Sequence, residues 1–169
     1  MLVTVERQQA KLVSMNRECF SIGAVTLWLG DCTVIAPSLP SGYTIITDPP
    51  YTVRSVEHVE EMLARLSYTA ADVLTLTNPE PGFIHRGKVV SVPEIAAYET
   101  AFHPHVRPIE VMERLVAMTN GTVLDPYAGS GTTLLAALRA KRPAVGVETS
   151  RRYWEHACNR LALAGQKSL

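Results

Sequence analysis

Two short segments constrain this chain most, because each sits where an apolar run must end and a turn begin. The run 122–124 leads into Asp125-Pro126-Tyr127-Ala128-Gly129-Ser130-Gly131-Thr132-Thr133, and the run 43–47 leads into Asp48-Pro49-Pro50-Tyr51. A short apolar run that stops at a glycine-rich turn and resumes with helical spacing reads as strand, turn and helix. Strands alternating with helical patterns predict an α/β fold: a mainly parallel sheet with helices on both faces.

The rest of the chain agrees with that pattern. Residues 24–29 read as a strand, pairing with 19–22 across a tight turn at Gly23. Val56, Val59, Leu63 and Leu66 share one face of a helix over 53–66, and 72–77 is a β-branched strand. Asn78-Pro79-Glu80-Pro81-Gly82 has the chemistry of a turn. Pro108 suits the first turn of a helix reaching about residue 118, with Ile109, Met112, Leu115 and Val116 apolar, and Asn120-Gly121 stops it. A helix over 131–140 opens on the glycine turn, 143–147 is a last strand, and Ser150 caps a helix to about residue 164.

The glycine turn has a chemical reading as well as a structural one. Gly129 and Gly131 let the backbone turn sharply and approach a ligand with no Cβ in the way. The helix behind them aims free N–H groups at that ligand. Glu148, at the end of the next strand, is placed to accept hydrogen bonds from a ribose diol. A tight strand-to-helix connection with no ligand is the plainer alternative. The Gly-Lys-Ser/Thr ending of a phosphate-binding loop is absent, and Leu134 stands where a dinucleotide site has its third glycine.

Asp48-Pro49-Pro50-Tyr51 is more specific. Two consecutive prolines withhold two donors and leave carbonyls free to accept. Asp48 adds a carboxylate acceptor and Tyr51 a π face, so the segment suits a planar ring bearing an NH₂ group. Such an amine is a poor nucleophile because its lone pair is delocalised into the ring. Hydrogen bonds from its protons to Asp48 and the Pro49 carbonyl localise that pair, allowing attack on an activated methyl in one displacement. A proline turn with a helix-capping Asp is the structural alternative.

Composition bounds these readings. A chain of 169 residues with 47% hydrophobic content is a single ordinary globular domain, with no apolar run of the length that spans a membrane. Glu6, Arg7, Lys11, Arg17 and Glu18 interrupt the first twenty residues, so no signal peptide is expected. Cys19, Cys32 and Cys158 show no Cys-x-x-Cys spacing, which fits a reducing cytoplasm. The formal net charge of zero weighs against a nucleic-acid partner. His58, His85 and His156 have no metal-ligand spacing, and no metal is expected.

Taken together, these motifs resemble the S-adenosylmethionine-dependent DNA amino-methyltransferases, in particular class β, whose catalytic segment precedes the cofactor segment in a circularly permuted order. The resemblance runs from about residue 27 to 163. Leu29-Gly30-Asp31-Cys32 is similar to the family's opening Gly-Asp motif. His103-Pro104-His105-Val106-Arg107-Pro108 is similar to its His-Pro-x-x-Lys-Pro block, with Arg107 for Lys, and Tyr127 stands where Phe is common. The resemblance implies a Rossmann-like methyltransferase fold with a catalytic half at about 24–77, a short insert at about 78–102 and a cofactor half at about 103–164. It also implies S-adenosyl-L-methionine as cofactor. Asp48, Pro49, Pro50 and Tyr51 are then catalytic. Asp125, Gly129, Ser130, Gly131 and Thr132 hold the methionine part, Glu148 the ribose and Asp31 the adenine. Tyr127 packs beside the sulfonium, and Arg107 closes the pocket.

The departures concern substrate. Larger relatives carry a long target-recognition region where this chain has only 78–102, which mixes Arg86 and Lys88 with Glu80, Glu94 and Glu99. Arg139, Lys141, Arg142, Arg151, Arg152 and Arg160 form a late basic cluster, whose two readings are a phosphate track and, slightly preferred, a solvated face. Recognition is expected to be short or completed by a second subunit such as a homodimer partner. The target base leaves the stack, more easily from locally single-stranded than from duplex DNA. Asp-Pro-Pro-Tyr favours adenine over cytosine within the family. An RNA base and a non-catalytic cofactor-binding subunit stay open as alternatives.

Overall fold

The structure is a computed structural model that describes residues 18–40, 42–47, 70–76, 83–85, 88–90 and 108–166. The expected helix over 53–66, the turn 78–82, Asp48-Pro49-Pro50-Tyr51 and Arg107 lie outside the described residues. In chain order the elements are β1 (Cys19–Ile22), β2 (Val25–Leu29), α1 (Cys32–Ile35) with a 3₁₀ turn (Ala36–Ser38), β3 (Tyr43–Thr47) and β4 (Ala70–Leu76). There follow β5 (Phe83–His85), β6 (Lys88–Val90), α2 (Ile109–Ala117), β7 (Val123–Asp125), α3 (Thr132–Arg139), β8 (Ala144–Glu148) and α4 (Arg151–Gln166).

The strands form one sheet in the order β1-β2-β8-β7-β3-β4-β5-β6. The five central strands run parallel, from β2 through β8, β7 and β3 to β4. Antiparallel neighbours extend it at both edges: β1 folds back on β2 at Gly23, and β5 and β6 add to β4. The edge pair β5–β6 falls within the interval read from sequence as a short insert. The expected strands and helices shift by one or two residues at their ends, and Pro108 caps α2 from outside the first turn.

Side-chain alternation sorts the core into two layers, as the period of two along a strand requires. Val25, Leu27, Ile46, Val123 and Ala144 face the layer of α2, α3 and α4. Trp28, Tyr43, Ile45, Leu124, Val145 and Val147 face the layer of α1 and the 3₁₀ turn. The middle helix, α3, packs against both α2 and α4, and residues Thr132 to Ala137 are all buried. Such a helix must be apolar nearly all round, which is why it reads Thr-Thr-Leu-Leu-Ala-Ala. None of the described helices is long and apolar enough to cross a membrane.

Two local devices set how closely α3 lies on the sheet. At Gly146 of β8 an added Cβ would stand 2.5 Å from Leu134 Cδ1, 3.0 Å from Leu27 Cδ1 and 3.1 Å from Ala128 Cβ. At its far end α3 closes with N–H groups of Lys141 and Arg142 on the carbonyls of Leu138 and Ala137, at 3.0 and 2.9 Å. This is the Schellman arrangement, with Lys141 at φ 54° where glycine is usual.

Arg142 then folds back over the carboxyl end of α2. Its guanidinium donates to the Val116 carbonyl, to Thr119 O and Oγ1 at 2.8 and 3.0 Å, and from Nε to Gly121 O at 3.2 Å. This residue of the late basic cluster is therefore part of the scaffold.

Gly146→Val should lower the unfolding free energy by about 1–3 kcal/mol, the usual cost of overpacking, measured by urea denaturation. Lys141→Gly should raise it by roughly 1 kcal/mol, since glycine alone adopts that φ without strain. An unchanged midpoint for either variant would contradict the packing described.

Candidate active site

Three carboxylates and the glycine turn converge at the carboxyl ends of adjacent parallel strands. Asp31 follows β2, Glu148 ends β8 and Asp125 ends β7. Strand ends are where the backbone ladder stops, so side chains there must satisfy the turning chain or a ligand.

Asp125 is buried, and burial of a carboxylate is tolerated only when it is hydrogen-bonded. Its Oδ1 accepts from Thr47 Oγ1 at 3.0 Å and from the Tyr127 N–H at 3.1 Å. The first bond ties the end of β7 to the end of β3. Both oxygens of Glu148 accept backbone N–H groups, Oε2 from Gly129 at 2.8 Å and Oε1 from Ser150 at 2.7 Å. Glu148 thus shapes the glycine turn and the start of α4, and each oxygen retains a second lone pair for a hydroxyl donor. Asp31 Oδ1 accepts from Thr33 N at 2.8 Å and Thr33 Oγ1 at 2.7 Å, capping α1.

The turn itself is left-handed at both glycines, with φ 52° at Gly129 and 78° at Gly131. An added Cβ at Gly131 would lie 2.9 Å from Ala157 Cβ on α4, so only glycine meets both the conformation and the space. Arg160, one helical turn beyond Ala157, donates from Nη1 to Ser130 O at 2.6 Å, Ser130 Oγ at 3.0 Å and Thr132 Oγ1 at 3.1 Å. The first-turn N–H groups of α3 have no intrahelical acceptors, and the helix dipole adds positive potential there.

The Tyr127 ring packs against the cluster that includes Trp28, Cys32 and Ile35, and its buried hydroxyl has no well-formed hydrogen bond among the described residues. Burial pushes the phenol up, and the neighbouring Cys32 thiol adds to the effect. Burial likewise raises Cys32 to about 11, so both groups stay neutral at physiological pH. This apolar wall lies on the α1 side of the sheet.

The structure therefore brings together eight of the residues singled out from sequence: Asp31, Asp125, Tyr127, Gly129, Ser130, Gly131, Thr132 and Glu148. The catalytic segment Asp48-Pro49-Pro50-Tyr51 and Arg107 fall outside the described residues. Sequence reading missed Thr47 and Arg160. Thr47 was hidden as one more β-branched strand residue. Arg160 had a legible signal: with Ala157, Leu161 and Ala164 it lies at the i, i+3, i+4, i+7 spacing of a helix's inner face. The solvated-face reading of the basic cluster fails for Arg142 and Arg160. It holds better for Arg139 and Arg151, which pair on the surface with Glu113 and Glu18.

Similarity to known proteins agrees with this geometry. Type II methyltransferase M.HindIII of Haemophilus influenzae is 33% identical over 93 residues, which are 53% of this chain and 30% of that protein. Type II methyltransferase M.ScaI of Streptomyces caespitosus is 37% identical over 82 residues, 47% of this chain and 27% of that one. The matched stretches thus span less than a third of these relatives. The Thermus thermophilus protein TTHA0409 shares the fold at a TM-score of 0.58 and 23% identity, over 85% of this chain and 95% of that one. M1.HpyAVI does so at 0.57 and 21%, over 81% and 98%. The fold is the Rossmann-like fold of methyltransferases. The DNA methylase family matches residues 77–159, from just past β4 into α4. Over that stretch, which holds the glycine turn and its two flanking strands, the chain is similar to the N6/N4 DNA methylases.

Proposed function

We propose that this protein transfers a methyl group from S-adenosyl-L-methionine to the exocyclic amino group of a base in DNA, adenine in preference to cytosine. The observation that carries the reading is the Thr47–Asp125 hydrogen bond at the topological switch point of the sheet. From β7 the chain passes through α3 to β8 on one side, while β4 lies beyond β3 on the other. Ligands of open α/β sheets bind in that crevice, beyond the carboxyl ends of the strands. The glycine turn begins directly after Asp125, and Asp48-Pro49-Pro50-Tyr51 directly after Thr47 in sequence. The segments read as donor cradle and amine acceptor thus follow neighbouring strands in the sequence.

The residues present fit the cofactor. The left-handed glycines permit close backbone approach, the amino end of α3 suits a carboxylate, and Glu148 keeps acceptor capacity for ribose hydroxyls. Asp31, at the end of the neighbouring strand, is placed for the adenine amine. When bound, S-adenosylmethionine supplies an activated methyl group. The protein's part is to hold the base: Asp48 and the Pro49 carbonyl accept the amine protons, Pro50 adds no competing donor, and Tyr51 stacks on the ring. Direct displacement then needs no covalent enzyme intermediate.

The late basic cluster supports only a modest grip on the phosphate backbone. Arg142 and Arg160 bond within the fold, and Arg139 and Arg151 are paired, leaving Lys141 and Arg152 outward. Backbone affinity scales with the number of phosphates neutralised. Target recognition therefore draws on a second subunit or on segments beyond this face, and a base already unstacked is the easier substrate.

The test is transfer of labelled methyl from S-adenosylmethionine to unmethylated DNA and, separately, to structured RNA, followed by nucleoside analysis. Methylated adenine from DNA is expected; product from RNA alone would overturn the DNA assignment. Asp48→Ala should lower turnover by about 10²–10⁴-fold with cofactor affinity nearly unchanged, whereas Asp125→Ala should weaken cofactor binding itself, as isothermal titration would read. Thr47→Val removes one hydrogen bond to a buried carboxylate with little change of shape. It should cost about 1–3 kcal/mol in urea unfolding and slow transfer more than it weakens cofactor binding. Wild-type turnover in that variant would show that the strand-end link is not part of the working site.

A further inference from the structure

The half-buried Arg160 is not explained by the ligand-facing side of the site. Its Nη1 reaches from α4 to three oxygens, all belonging to the turn: Ser130 O, Ser130 Oγ and Thr132 Oγ1. Between those residues Gly131 rests on Ala157 of the same helix. The guanidinium therefore braces the turn from the α4 side. Among the described residues no carboxylate pairs with it, and burial, with Arg139 nearby, lowers its pKa from the usual arginine range. A guanidinium remains charged even so. Hydrogen bonds to neutral oxygens offset only part of the cost of burying a cation, and an anion nearby would offset more. Directly above the brace is the amino end of α3, whose dipole has the same sign as the guanidinium. A negative group bound at the turn would meet both fields at once.

We propose that Arg160 is a positioning residue for the carboxylate-bearing end of the cofactor, fixing the turn's shape and placing a permanent positive charge behind it without touching the ligand. This rests on the cofactor reading above. It separates two effects that a purely structural arginine would not: affinity for the cofactor's amino-acid end and affinity for its nucleoside end.

The experiment is isothermal titration of the full chain with S-adenosylhomocysteine, which has the amino-acid end, and with 5′-methylthioadenosine, which lacks it. Thermal unfolding is followed in parallel. Arg160→Met should weaken binding of S-adenosylhomocysteine by about tenfold, the order expected for one charge acting near a helix end. Its affinity for 5′-methylthioadenosine should stay within about twofold of wild type on the same reasoning. Arg160→Lys, which keeps the charge, should retain most of the preference for S-adenosylhomocysteine over 5′-methylthioadenosine. Arg160→Gln is a second neutral variant should Arg160→Met fail to fold, with the same expected loss. Equal weakening of both ligands, no weakening of either, or loss of the preference in Arg160→Lys equal to that in Arg160→Met would overturn the proposal. Failure of the wild-type chain to bind either ligand would instead overturn the cofactor reading, and this inference with it.

Discussion

The backbone of the glycine turn approaches α4 so closely that a single methyl group at position 131 would not fit. An added Cβ there would stand 2.9 Å from Ala157, far inside contact distance. That approach lets one helix brace the turn with Arg160 while the Glu148 carboxylate receives the Gly129 N–H at 2.8 Å. The turn is thus held by a cation on one side and a carboxylate on the other. Both glycines stay left-handed. Gly146 performs the matching service on β8, letting the Leu134 side chain of α3 settle directly against its backbone.

The sheet order turns this local geometry into a site. Parallel pairing places the carboxyl ends of β2, β8, β7 and β3 along one edge, so Asp31, Glu148, Asp125 and Thr47 meet although up to 117 positions separate them in the chain. Thr47 and Asp125 share a buried hydrogen bond, which couples the exit of the strand before Asp48 to the exit of the strand before the glycine turn. A reaction that moves a group from one bound molecule to another requires such a shared frame, because small displacements of the reacting atoms cost large factors in rate.

Two arginines of the late basic cluster, Arg142 and Arg160, serve the fold itself. With 16 basic and 16 acidic residues the chain has no surplus to spend on a nucleic-acid backbone. Arg142 satisfies carbonyls at the end of α2, a service that glycine or water performs in many helices. Arg160 satisfies the turn. Each guanidinium offers several donors in a rigid plane, which suits it to bind several oxygens that belong to one bend of backbone.

The α/β alternation was legible from sequence because short β-branched runs and helical spacing differ in period, and Gly23, Asn120-Gly121 and Ser150 punctuate them. The glycine turn and its acidic neighbours were legible because only glycine permits that backbone and because strand ends have recognisable chemistry. The pairing of β5 with β6 was not, since two three-residue strands leave too short a pattern to separate from loop. Nor were the internal roles of Arg142 and Arg160, because an arginine's reach lets it serve either solvent or a distant carbonyl. Local spacing thus determined most of the described elements and the glycine turn. The strand order, the link from Thr47 to Asp125 and the brace from Arg160 were decided only in three dimensions, because each depends on contacts between segments whose sequence separation carries no periodic signal.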